Sequence, residues 1–130
     1  MKLEYLPDGS PDAPLIRFFD FDEHEKQLLK QCFESIVSEL NQITPLHELP
    51  FIESIDSCKV WIALHDLRLE DENAVLATSE AQRMFTWMMT KDQWNEAIEL
   101  TAAYTPPPHS YQWLTDDLGI QILLSQSGQW

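Results

Sequence analysis

Glycine is scarce in this chain: Gly9, Gly119 and Gly128 are the only three among 130 residues, and they lie far apart. A loop that cradles phosphate needs several glycines close together, so that backbone N–H groups can close on the anion. Neither the Walker nor the dinucleotide type of loop can be built here, which argues against a nucleotide enzyme. Basic residues are scarce as well. Eight Lys and Arg stand against 22 Asp and Glu, a net charge of −14, and no Lys or Arg follows Lys91. A field of that sign repels phosphate backbones and anionic headgroups, so neither nucleic acid nor a membrane surface is an expected partner. A basic protein or a divalent cation is electrostatically easier.

Cysteine is limited to Cys32 and Cys58, which make no disulfide framework and lack the Cys-x-x-Cys spacing of zinc or redox sites. The first residues hold no apolar run of signal-peptide length, and no segment approaches the roughly 20 apolar residues of a membrane span. A reducing, cytoplasmic setting is expected. Covalent catalysis would call for a strained Gly-x-Ser-x-Gly elbow or a reactive Cys beside an orienting His, and neither occurs. No cofactor is expected. Neither Tyr5 to Pro11 nor Ser127 to Trp130 makes a recognised motif, and no internal repeat is visible.

What remains is an ordinary globular composition, 44% hydrophobic and 23% charged, in a length that suits one domain over residues 1–130. Asp22 followed by Glu25 has the spacing of a capping box, in which each side chain satisfies a backbone N–H of the other. Beyond it Leu28, Leu29, Cys32, Phe33, Ile36, Val37 and Leu40 form one helical stripe, with Lys26, Lys30, Glu34 and Ser38 opposite, as on a solvated face. Thr90 and Gln93 repeat the capping spacing before a second helix to about Tyr104, which should bury Trp94, Ala97, Ile98 and Thr101. Strands are predicted over Leu15–Phe21, Lys59–His65 and Gln82–Met89, with a closing hairpin from Tyr111 to Ser125. Leu3–Leu6 reads as an edge strand, Phe51–Ile55 as a short strand or packed loop, and Ala74–Ala77 as a weak one.

The expected fold is therefore α+β: a mixed, mostly antiparallel sheet of five to seven strands with two helices on one face. Two helices, each about 10 Å across, cover about four strands spaced about 4.8 Å apart. The other sheet face must meet water, a loop or another molecule, yet its alternation is not cleanly polar. Trp61, Phe85, Trp87, Tyr111 and Trp113 are the candidate interface residues, since aromatic side chains concentrate at the centres of protein contacts. The alternative is that residues 1–14 and 43–57 fold over that face. Glu70, Asp71 and Glu72 form a compact acidic run, expected at a hairpin tip.

Asp20, Asp22 and His24 alternate, so on a strand they would point one way and resemble a divalent-metal site; the capping role of Asp22 competes with that. His47–Glu48 and His65–Asp66 are isolated pairs, and His109 follows three prolines. The leading expectation is a non-enzymatic, acidic interaction protein, binding a basic partner in the manner of an inhibitor or immunity protein, or pairing with itself as a homodimer. One alternative is a small metal-dependent or hydrolytic enzyme using Asp20, Asp22, His24 or His65. Another is a small-ligand domain lined by Trp61, Trp87 and Trp113.

Overall fold

The computed structural model describes residues 1–9, 14–39, 42–64, 75–79, 81–105, 111–115 and 120–128. Among them are two helices and nine strands, an α+β chain with mixed sheets. In chain order these are β1 (Lys2–Leu6), β2 (Leu15–Phe19), α1 (Glu23–Ser38), β3 (Ile43–Pro45), a 3-10 turn (Leu46–Glu48), β4 (Glu53–Ser54), β5 (Lys59–Leu64), β6 (Val75–Ser79), β7 (Met84–Met89), α2 (Lys91–Ala103), β8 (Gln112–Thr115) and β9 (Gln121–Leu124).

The strands divide into two sheets, where one of five to seven was expected. The larger has the order β4-β1-β2-β9-β8 and the smaller β3-β5-β7-β6. Four pairings are antiparallel (β1/β2, β3/β5, β6/β7, β8/β9) and three are parallel (β1/β4, β2/β9, β5/β7). The chain crosses from one sheet to the other between Ser54 and Lys59. Asp56 and Ser57 adopt left-handed φ values of 53° and 59° there, and the Ser54 hydroxyl donates to the Cys58 carbonyl. β1 is not an edge strand, because β4 adds to its open side: Glu53 and Ile55 N–H groups donate to the Met1 and Leu3 carbonyls at 2.8 Å each.

Both helices begin as their cap residues dictate. Asp22 Oδ1 accepts from the Glu25 N–H at 2.8 Å while Glu25 Oε1 accepts from the Asp22 N–H at 3.2 Å. The Thr90/Gln93 box closes at 3.3 and 2.9 Å. Each box satisfies donors that a helix start leaves without intrahelical partners. The α1 stripe buries Leu29, Phe33 and Ile36, but Lys26 departs from the expected solvated face and is only 2% exposed. Its ammonium donates to the Tyr104 carbonyl at 2.7 Å and lies 3.2 Å from Glu23 Oε1. It therefore serves the carbonyl end of α2, where a cation is favoured by the helix dipole. Glu23 is held below the usual carboxylate range by hydrogen bonding from Gln27 and then from Lys26.

The inner faces of both sheets and the facing stripes of both helices share one core. At its centre Phe33 of α1 meets Trp87 of β7 edge-on at 5.4 Å and Trp94 of α2 at 5.2 Å, and the two indoles lie 4.7 Å apart. Tyr5 of the larger sheet reaches Phe85 of the smaller at 4.6 Å. Because each sheet needs only its inner face covered, two helices suffice. The single broad sheet with one bare face is not what forms. On the outside of the larger sheet, Arg17 donates to Glu4 at 2.6 and 2.9 Å and to the Gly128 carbonyl at 2.6 Å, with its guanidinium 4.0 Å above the Phe19 ring. Gly128 has φ +81°, a conformation that favours glycine.

Candidate functional site

α2 is used on two sides. Trp94, Ala97 and Thr101 face the core, while Gln93, Glu96 and Leu100, at spacings of three and four, line a cleft on the neighbouring side. Across it lies β8, contributing Gln112, Trp113, Leu114 and Thr115, with Met89 at the end of β7 beneath. The cleft has a volume of about 470 Å³ and is half-open to solvent. That is within the range of roughly 300–1,000 Å³ typical of binding sites.

β8 ends the sheet order and, among the described strands, pairs with β9 alone. Alternate side chains of a strand point to opposite faces, and a register shift between Trp113 and Thr115 interrupts that alternation. The Gln112 carboxamide donates to the Trp113 carbonyl at 2.9 Å, a contact along its own strand. Beside the cleft Tyr111 is 46% exposed, and its ring meets Trp113 at 6.0 Å in an edge-on pair.

The lining combines one carboxylate, two carboxamides and one hydroxyl with apolar side chains. Gln93 is fixed by its capping bond to Thr90. Glu96 is exposed and takes part in no ion pair among the described residues. Among the described residues of the lining Glu96 is the one titratable group, and with the apolar side chains it gives the site the means to hold a ligand by charge and contact.

The sequence-predicted residues are dispersed. Trp113 and Tyr111 lie at the cleft. Phe85 and Trp87 do not face outward: both are fully buried in the shared core. The β5/β7 register explains why, since it pairs Ile62 with Trp87 and Trp61 with Thr86, placing the two indoles on opposite faces. Trp61 is half-buried on the outer face of the smaller sheet, 4.7 Å from the His47 ring, whose Nδ1 accepts from the Val60 N–H at 3.1 Å. Trp61, Trp87 and Trp113 therefore line no common pocket. The alternating Asp20, Asp22 and His24 are not on one strand. β2 ends at Phe19, Asp20 turns with φ 53° and pairs with Lys2 at 3.1 Å, Asp22 caps α1, and His24 is exposed in its first turn. Among the described residues, no three of His, Cys, Asp and Glu gather where one cation could touch them. His65, the acidic run Glu70, Asp71 and Glu72, and His109 lie outside the described residues.

Sequence marked Gln93 as a cap residue but not as cleft lining, and it did not single out Glu96, Leu100 or Gln112. The available signal is Leu100: it completes a second stripe, Gln93-Glu96-Leu100, displaced by one residue from the buried one. Cys58 is buried, and burial pushes its thiol up to about 12; burial also raises Cys32. Neither has the depressed value of a nucleophile. No helix among the described residues is long and apolar enough to cross a membrane. Compared with protein-family models, with curated proteins and with solved structures, the chain matches none of them.

Proposed function

We propose that this chain is a non-enzymatic, acidic interaction protein that binds a basic protein partner through the cleft between α2 and β8. The observation that carries this reading is the juxtaposition of an open, partly apolar cleft, a carboxylate at Glu96 that has no ion pair among the described residues, and the aromatic pair Tyr111 and Trp113. Aromatic side chains supply contact area at low entropic cost, and a carboxylate without a cation of its own is complementary to a Lys or Arg from outside. The wider field agrees in sign: Asp92, Glu96, Glu99, Asp116 and Asp117 follow Lys91, with no basic residue among them. A second copy carries the same −14 charge, so a basic partner is favoured over self-association. The two free thiols suit a reducing, cytoplasmic compartment.

The test is selection from a random peptide display library at low ionic strength. Enrichment of Lys- and Arg-bearing sequences whose binding weakens steeply as salt is raised supports the reading, because contacts between exposed charges are screened over about 8–10 Å at physiological ionic strength. Failure to enrich any sequence, or enrichment of ligands indifferent to salt, overturns it.

A further inference from the structure

We infer that His47 is a proton-operated clip: as a neutral ring it supplies the hydrogen-bond acceptor that holds the Leu46–Glu48 turn on the edge of β5, and on taking up a proton it releases that edge. This goes beyond the cleft reading and uses none of its residues.

The clip exists because a strand stops one residue short of its partner. β3 and β5 pair antiparallel, Thr44 opposite Ile62 and Pro45 opposite Trp61, so the next residue in register with Val60 is Leu46. Leu46 instead begins the 3-10 turn, and its carbonyl accepts from the Leu49 N–H at 3.2 Å. The His47 ring takes over that ladder position. Its Nδ1 accepts from the Val60 N–H at 3.1 Å, and the Val60 carbonyl lies 3.3 Å from the same nitrogen. The N–H and C=O of one strand residue point to the same side, so a single ring atom at the edge meets both. Val60 is fully buried and His47 half-buried, so a proton can reach the ring while the amide stays dry.

Nδ1 holds the Val60 N–H through its lone pair. Histidine is the side chain that changes charge between about pH 5 and 8, and a proton taken from solvent turns Nδ1 from acceptor into donor. The ring then faces the Val60 carbonyl alone, and a buried N–H is left without an acceptor, which is costly. The charged groups on the elements that meet the ring are Glu48, on its own turn, and Lys59, which shares the outer face of β5 with Trp61; β3 carries none. They are of opposite sign, and neither pairs with the ring among the described residues, so the bonds to Val60 decide the response. Holding is complete while the ring is neutral and is lost as pH falls. Acid therefore loosens this end of the smaller sheet, where Trp61 stands edge-on to the ring at 4.7 Å.

The experiment is nuclear magnetic resonance of the full chain from about pH 7.5 down to about pH 5, the range in which histidine titrates. Ring nitrogen shifts should show Nδ1 without a proton at the upper end. Amide exchange at Val60, corrected for the effect of pH on the exchange chemistry, should speed up about tenfold on acidification, as expected for the loss of one hydrogen bond, while amides of β7 hold steady. His47→Asn places a carboxamide oxygen near the position of Nδ1 and takes up no proton, so protection at Val60 should become independent of pH. A proton found on Nδ1 at about pH 7.5, protection at Val60 indifferent to acid in the parent, or the same acid response in His47→Asn overturns the inference. The parent measurements decide by themselves if the variant does not fold.

Discussion

The two sides of α2 are built for different ends. On one, Trp94 Nε1 donates to the Ala63 carbonyl at 3.0 Å, Thr101 Oγ1 to the Ala97 carbonyl at 2.7 Å, and Phe33 and Trp87 fill the space between. On the other, one position earlier in each case, Gln93, Glu96 and Leu100 line the cleft. The closed side holds the sheets and helices together. On the open side Gln93 caps the helix and Leu100 packs against the core, while the exposed Glu96 does neither and is free to contribute to binding. The comparison teaches that residues adjacent in sequence on one helix can carry separable roles, and substitutions should separate them.

The largest effect is expected at the centre of the closed side. Phe33→Ala removes the ring that touches both indoles and should cost about 3–5 kcal/mol of stability, read as a fall in the urea midpoint. Lys26→Met comes next. It leaves the Tyr104 carbonyl without its charged donor, so a loss of about 2–3 kcal/mol is expected in the same measurement. A cost under about 0.5 kcal/mol would show that the ammonium does not hold the end of α2.

Cys58 gives a pH-dependent version of the same test. Its ordinary value near 9.0 is raised to about 12 by burial. Below pH 9 both states hold the thiol proton and the group has no effect on stability. From about 9 to 12 the unfolded chain loses that proton and the folded one keeps it, so stability must fall with rising pH. Cys58→Ala should flatten this alkaline decline relative to the parent, and an unchanged slope would contradict the burial argument.

A finer comparison uses the two indoles. Trp94 Nε1 is bonded, whereas Trp87 Nε1 is buried with no hydrogen-bond partner among the described residues. Changing each to Phe deletes similar volume, but only the Trp94 substitution loses a described hydrogen bond. Trp94→Phe should therefore cost about 1 kcal/mol more than Trp87→Phe. The smallest stability effect is expected on the open side, where Glu96→Gln should stay within about 0.5 kcal/mol of the parent in thermal or urea unfolding.

Much of the local structure was legible because its causes are local. Both capping boxes and the stripe Leu29-Phe33-Ile36 follow from residues three or four apart, and the hairpin of β8 and β9 follows from two short apolar runs around a turn. The division into two sheets was not, because it depends on distant parallel pairings such as Ile16 with Ile122 and Ile62 with Trp87. A run such as Met84-Phe85-Thr86-Trp87-Met88-Met89 shows which residues alternate but not which set faces inward. That choice was made by Phe33 and Trp94, from two different helices. Lys26 was misplaced for a related reason: its partners lie on the far end of α2, 78 residues away in the case of Tyr104. The cleft was half visible. Tyr111 and Trp113 stood out by composition, whereas Gln93, Glu96 and Leu100 become a wall only once β8 lies opposite them.

The most direct test of the account is amide hydrogen exchange across the chain with and without a basic peptide obtained by display selection. Docking along the α2–β8 cleft predicts that exchange slows over Gln112–Thr115 on addition of the peptide, while amides of β5 and β7 are unchanged. Slowed exchange confined to the outer face around Trp61, with β8 unaffected, would contradict it.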